Sequence, residues 1–309
     1  MTGTVYKSTG SWYSVKTEEG EFYDCKIKGK LRLEKISSTN PIVVGDKVDF
    51  IIETQDEVSI GVIQRIHERN NYIVRKSVNL SKQSHILASN IDLLVLVVTL
   101  KDPITTTSFI DRFLVNAEAY SIKTLLVFNK VDLFDQSEIE IINDMVRIYS
   151  NIGYKCLCTS TVNKHNILEL REYISGKKIM FGGHSGVGKT SLINCIDPSL
   201  ELKVGDISSQ HLQGKHTTTY AEIFDLDKKT KLIDTPGIKG FGLINFEKQE
   251  IRDLFPEFLK YKNKCKFSDC LHLKEPNCFI KLMVSKNKIS KSRYESYSQI
   301  LADDNLKHR

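Results

Sequence analysis

The run Gly183-His184-Ser185-Gly186-Val187-Gly188-Lys189-Thr190 fits the pattern G-x-x-x-x-G-K-[ST], with Ser191 following. Glycines at these spacings let backbone N–H groups curl round phosphate oxygens at the positive end of the next helix. Lys189 then reaches β- and γ-phosphates, and Thr190 ligates Mg2+. Upstream, Asn129-Lys130-Val131-Asp132 closes the apolar stretch TLLVF. A carboxylate there accepts two hydrogen bonds, from guanine N1–H and the N2 amino group. Adenine lacks that donor pair, and leaving the carboxylate unpaired is costly.

Three further segments complete a nucleotide-hydrolysing set. Asp234-Thr235-Pro236-Gly237 offers an aspartate that holds Mg2+ through a water and a Gly237 N–H for the γ-phosphate. Gly214-Lys215-His216-Thr217-Thr218-Thr219 supplies hydroxyls, Thr218 among them, for the other side of the Mg2+. Thr159-Ser160 is placed to put a backbone N–H on guanine O6. Ile238 follows the DTPG segment, where Ras-like enzymes carry the glutamine that orients water. An aliphatic side chain cannot do this, so His216 or a partner must supply the function.

A different chemistry lies near the C-terminus. Cys265, Cys270, His272 and Cys278 form a C-x4-C-x-H-x5-C array of three thiolates and one imidazole, a tetrahedral Zn2+ set. With four protein ligands no position is left open, so the ion is structural. Cys25, Cys156, Cys158 and Cys195 read as core or incidental thiols. Seven cysteines, an odd count, with no apolar leader in MTGTVYKSTG, argue against a disulfide framework.

These residues need elements to position them. Ile91 to Leu100 and Thr124 to Phe128 are near-continuous apolar runs, as strands buried on both faces require. Between and after them lie helical stretches at 107–120, 136–151 and 166–174, and strands at 154–159, 178–181 and 231–233. Alternating β and α elements imply a parallel sheet covered on both faces. Residues 1–68 instead show short alternating stretches around Val5, Tyr13, Val15, Phe22 and Ile27, with a Gly45-Asp46 turn in PIVVGDKVDF, which suggests a small β-barrel. An amphipathic helix is expected over 247–260 and a last one over 290–302. The lysine-rich tract 281–293 reads about as readily as a merely solvated helix face or loop as it does as a functional basic patch.

The chain has 309 residues and a formal charge of +6, with 40% hydrophobic and 27% charged residues, an ordinary globular composition. Its mass of 35.3 kDa is about two domains' worth, with room for a third small module. The longest clean apolar run, Leu93 to Val98, is six residues, against the roughly 20 that span a bilayer; membrane and secreted classes are disfavoured. Residues 1–68 carry net −2 and residues 243–309 net +5. A basic end points weakly to an acidic partner such as nucleic acid.

The order of motifs is unusual. In Ras-like GTPases the phosphate loop comes first and NKxD late; here Asn129–Asp132 precedes Gly183–Thr190, and Asp234–Gly237 comes last. The same crevice can be built from a circularly permuted sheet. The barrel ending in PIVVGDKV, then NKVD, GHSGVGKTSLIN, GKHTTT, DTPGI and the zinc spacing together resemble the RsgA/YjeQ-type GTPases over essentially the whole chain.

That resemblance implies an OB-fold RNA-binding domain (1–68), a circularly permuted α/β P-loop GTPase domain (69–242) and a mostly helical zinc domain (243–309). It implies a cytoplasmic factor in late maturation of the 30S subunit that contacts 16S rRNA, needs Mg2+ with GTP, and leaves the subunit when GTP is hydrolysed to GDP. A monomer is expected, as is slow turnover without the subunit. It assigns catalytic roles to His216, Lys189 and Thr218. Thr190 stands where the family often has serine, and Thr159-Ser160-Thr161 has no adjacent lysine. Two other classes remain open at this stage: an RNA-binding protein using GTP only as an occupancy switch, and a P-loop ATPase or kinase, against which NKVD argues.

Overall fold

In a computed structural model the described residues are 1–27, 41–55, 58–76, 84–200, 221–234 and 246–302. The chain divides into two compact units. The first comprises residues 1–94, 168–182 and 189–241; the second comprises 95–167, 183–188 and 242–309.

The first unit opens with five strands: β1 (Thr2–Ser8), β2 (Tyr13–Thr17), β3 (Phe22–Ile27), β4 (Lys47–Gln55) and β5 (Val58–Ile66). Their order is β1-β2-β3-β5-β4, and β4 returns to pair with β1, so the sheet closes on itself. Closure removes the open edges that a five-stranded sheet would otherwise present. Period-2 alternation drives it: Val5, Tyr13, Val15, Cys25, Val48, Phe50 and Ile63 all point inward into one core. Gly3 and Gly61 allow the tight packing, since a Cβ on Gly61 would stand 2.3 Å from Cys25 Sγ.

The PIVVGDKV segment owes its character to Asp46, which is fully buried. Asp46 accepts from Arg69 Nε and Nη2 at 2.6 Å each, from Ser89 Oγ at 2.6 Å and from the Val43 N–H at 2.9 Å. Gly45 before it has φ +93°, and a Cβ there would meet the Ser89 carbonyl at 2.1 Å. Arg69 precedes, and Ser89 ends, a two-stranded ribbon, β6 (Tyr72–Lys76) with β7 (Ser84–Ser89), which the apolar pattern did not announce. The unit also holds β11 (Lys178–Gly182), β12 (Glu222–Asp225) and β13 (Lys231–Asp234), in the order β11-β13-β12-β1. β12 meets the barrel at Lys7 and Glu222, beside the Lys7–Glu222 and Lys16–Asp225 ion pairs.

In the second unit, β8 (Leu93–Val98), which begins in the first, lies beside β9 (Thr124–Asn129), and β9 pairs in parallel with β10 (Lys155–Thr159). Every residue of β8 and β9 is buried, as the apolar runs required. The helices α1 (Thr107–Ala119) and α2 (Gln136–Ile152) fall where the periodicity put them; so does α3 (Ile167–Ile174), which apart from Ile167 belongs to the first unit, as does α4 (Lys189–Ile196) after the glycine loop. Helix α2 starts on an Asp135/Glu138 capping box and ends on Gly153 in the left-handed region.

The single helix expected over 247–260 is two: α5 (Lys248–Asp253) and α6 (Pro256–Leu259). Pro256 has no N–H to continue the first helix and instead begins the second. α7 (Phe279–Ser285) and α8 (Lys291–Ala302) complete the module, so the lysine-rich tract is part helix, part loop. Its core gathers Ile251, Phe255, Phe258, Ile280, Tyr297 and Ile300, and Val115 of α1 joins it. Among the described residues no helix is long and apolar enough to cross a membrane.

Candidate functional site

The glycine loop runs from Gly183 to Gly188, directly after β11, and α4 begins at Lys189. This is the strand–loop–helix context in which such a loop aims its N–H groups at an anion. All three glycines have positive φ: +129° at Gly183, +85° at Gly186 and +95° at Gly188. Two also lack room for a side chain. A Cβ on Gly183 would stand 2.2 Å from the Val97 carbonyl oxygen, and one on Gly188 would stand 2.4 Å from Asn129 Nδ2. Lys189 and Thr190 are buried at the first turn of α4, while Ser185 and Gly186 are exposed at the loop tip.

Asn129, the last residue of β9, is buried and bonded on both sides. Its Nδ2 donates to the Val187 carbonyl at 2.8 Å, and its Oδ1 accepts from Thr159 Oγ1 at 3.0 Å. One asparagine therefore ties the glycine loop to the end of β10. Lys130 takes the left-handed conformation, φ 65°, and its Nζ donates to the Asp102 carbonyl. This turn delivers Val131 and Asp132 into a short 3-10 segment past the strand end. Asp132 Oδ1 accepts from Ser160 Oγ, and Ser160 itself is buried. The NKVD segment, Thr159-Ser160 and the glycine loop thus converge within the second unit, the convergence that the motifs alone predicted.

Sequence reasoning missed one loop contact. The His184 ring lies 3.9 Å from the Phe109 ring, centroid to centroid, at 32°. Phe109 belongs to the first turn of α1 and carries no motif; a helical aromatic is usually core, so no signal marked it. Asp234 ends β13. His216, Thr217, Thr218, Thr219, Gly237 and Ile238 lie outside the described residues.

The four predicted metal ligands also come together. Their donor atoms all lie within 4.8 Å of one another. His272 Nδ1 stands 3.6 Å from Cys265 Sγ and 3.3 Å from Cys278 Sγ, and the two sulfurs are 3.9 Å apart. A tetrahedral Zn2+ with ordinary bond lengths has edges of roughly 3.5 to 3.8 Å, so the donor set fits such an ion. His272 adopts φ 61° to turn its ring inward, and burial, aided by Arg252, pushes its pKa down to about 4. The ring is therefore the neutral imidazole that a metal requires. Burial pushes the Cys270 thiol up to about 12 and raises Cys278 as well; a bound cation reverses that preference by binding the thiolates.

Outer contacts hold the cluster's loop. Tyr294 and Tyr297 hydroxyls donate to the carbonyls of His272 and Leu271, at 2.6 Å each. Glu275 accepts from the Leu271 and Leu273 N–H groups at 2.7 and 2.8 Å. Arg252 Nη1 donates to the Ser268 and Cys270 carbonyls. Such supporting shells orient ligands and raise metal affinity. Of the other thiols, Cys25 sits in the barrel core, where burial pushes it up to about 12, and burial pushes the half-buried Cys156 up to about 11.

A closed five-stranded barrel, a phosphate loop that follows the NKxD strand in the chain, and a C-terminal Cys3His cluster define a circularly permuted P-loop GTPase. The comparisons agree. The RsgA GTPase family model matches residues 66–244, and the RsgA N-terminal domain model matches residues 2–62. The small ribosomal subunit biogenesis GTPase RsgA of Flavobacterium johnsoniae is 54% identical over 309 residues, covering 100% of this chain and 95% of the relative. Its counterpart in Bacteroides fragilis is 47% identical over 303 residues, covering 98% and 97%. The crystal structure of YjeQ from Thermotoga maritima superposes with a TM-score of 0.79 at 35% identity, covering 100% of this chain and 99% of that one. The crystal structure of YloQ, described as a circularly permuted GTPase, gives 0.74 at 27% identity, covering 100% and 96%. The chain belongs to the RsgA GTPase family.

Proposed function

We propose that this GTPase acts in late maturation of the 30S subunit, contacting 16S rRNA, and that hydrolysis of GTP to GDP and phosphate releases it. The near full-length likeness to relatives named for small-subunit biogenesis supports this reading. The structural observation that carries the nucleotide chemistry is Asn129, which bonds the Val187 carbonyl and so joins base motif to phosphate loop.

In this reading three domains (1–68, 69–242 and 243–309) divide the work as barrel, GTPase and zinc module, in a cytoplasmic monomer. Asp132 accepts guanine N1–H and N2–H, the Thr159-Ser160 turn supplies a backbone N–H to O6, Lys130 and Val131 shape the pocket, and Asn129 ties it to the phosphate loop. Residues Gly183 through Ser191 cradle the phosphates, and Lys189 neutralises charge on the transferring phosphoryl group. Bound with GTP at Thr190 and Thr218, Mg2+ supplies further neutralisation; Asp234 and Gly237 serve the γ-phosphate side. His216 orients the attacking water in place of the missing glutamine. Zn2+ at Cys265, Cys270, His272 and Cys278 is structural, because the four side chains leave no ligand position open.

The test is turnover of GTP and of ATP, each with and without purified 30S subunits. We expect GTP alone to be hydrolysed, slowly by the isolated chain and at least tenfold faster with subunits. Comparable ATP turnover defeats the guanine assignment, and subunit-independent GTP turnover defeats the ribosomal one.

A further inference from the structure

Helix α1 carries, two residues apart, a contact to the glycine loop and an anchor to the C-terminal module. Phe109 faces His184 of the loop, ring to ring at 3.9 Å. Its backbone is fixed by the cap, since Thr106 Oγ1 accepts from the Phe109 N–H at 3.2 Å. Asp111 lies about 200° further round the helix, on the opposite face. It is fully buried and accepts from Arg293 Nη1 of α8 and from the Tyr149 hydroxyl of α2, both at 2.8 Å.

Arg293 is also fully buried. Its Nε and Nη2 form a two-pronged contact with Glu257 of α6, at 2.7 and 3.0 Å, and its guanidinium lies 4.7 Å from the Phe255 ring centroid. Val115, one turn after Asp111 on the same face, packs in the core of the C-terminal module. At the surface, Ser108 Oγ donates to Gln299 at 3.1 Å. Sliding α8 along α1 would strand a guanidinium and two carboxylates in the interior, which is strongly unfavourable. The two helices are therefore bound to move together.

We propose that α1 couples the zinc module to nucleotide binding: Arg293 sets the position of α1, and Phe109, through His184, sets the glycine loop. Both are positioning residues and neither touches the nucleotide. The proposal rests on the GTPase reading of the loop and adds a route that does not pass through the Asp234–Gly237 segment. A displacement of the C-terminal module by a partner would reach the phosphate site through this helix. Equally, a filled loop would hold the module in one position, since coupling free energy is reciprocal.

The experiment is a double-mutant cycle on GDP affinity in the full chain, with Phe109→Ala, Arg293→Lys and the pair, and Phe109→Tyr as the conservative control. ADP serves as the competitor nucleotide. Losing an aromatic pair costs roughly two- to tenfold in an equilibrium constant. We expect Phe109→Ala and Arg293→Lys each to weaken GDP binding in that range, Phe109→Tyr to retain wild-type affinity, and the double variant to be no worse than its weaker-binding parent. Metal content and thermal unfolding of Phe109→Ala should match wild type, because it removes only a half-buried ring. Wild-type protein that binds GDP no better than ADP overturns the guanine reading. Wild-type protein with normal GDP preference, but with multiplicative effects in the double variant or none in Phe109→Ala, overturns the coupling alone.

Discussion

Asn129 Nδ2 lies 2.8 Å from the Val187 carbonyl oxygen, although 58 residues separate the two in the chain. The same nitrogen is where a Cβ on Gly188 would collide. The glycine at the end of the loop is thus required twice, for its left-handed φ and for the approach of an asparagine belonging to another motif. The contact ties the NKVD segment to the glycine loop across that stretch of chain.

Asn129→Ala should therefore act on the loop, not on the base. It leaves the Val187 carbonyl and Thr159 hydroxyl without a partner, a penalty of about 1–3 kcal/mol for a buried group. We expect GDP and xanthosine diphosphate to lose affinity by the same factor, at least tenfold, in fluorescence titrations. A change in base preference would contradict this assignment.

Asp132→Asn should do the reverse. The amide no longer accepts from both guanine donors, but it can donate to the acceptor that xanthine presents in place of N2. GTP affinity should fall on the order of a hundredfold while xanthosine triphosphate gains. Competition between the two nucleotides reads this directly, and an unchanged preference would place the base site elsewhere.

Much of this was legible in the residues because phosphate, guanine and zinc chemistry each demand particular side chains at short spacing. The buried strands at 93–98 and 124–129 were equally plain, since a strand covered on both faces must be apolar throughout. Arg293 and Asp111 were not. Each lies in a helix whose local pattern treats a charge as solvent-facing, and only partners on other elements, the two being 182 residues apart, make its burial tolerable. Phe109 was hidden for the opposite reason, because an aromatic on a helix raises no question. The break at Pro256 was visible in principle, but the apolar periodicity on either side of it masked the stop.

Asp46 in the barrel poses a stability question. It receives the Arg69 fork, Ser89 Oγ and the Val43 N–H while fully buried. Asp46→Asn keeps the shape but leaves a guanidinium, 5% exposed, without its counter-charge. Breaking a buried pair from one side costs about 3–5 kcal/mol. Calorimetry should show a clearly lowered unfolding temperature; a shift of under a degree would mean that the pair contributes little.

The purified protein should contain one Zn2+ per chain, and losing it should loosen the loop from Cys265 to Cys278 before anything else. The three spacings among His272, Cys265 and Cys278 match a tetrahedron closely enough that little rearrangement is needed to bind. Cys270→Ser replaces a thiolate with a weaker ligand and should leave zinc substoichiometric by elemental analysis. Chelation should raise protease sensitivity across that loop, with cleavage mapped by mass spectrometry. Acid should act in the same direction. His272 is held near 4 in the fold against 6.5 ordinarily, so the unfolded chain takes up a proton that the native ring refuses. The stability this ring contributes is complete above about 6.5 and falls as pH drops towards 4. Bound metal competes with the same protons, so zinc release should begin on the acid side of neutrality. Retention of zinc at pH 4, with an intact loop, would show that the cluster does not hold the ion in the way its geometry indicates.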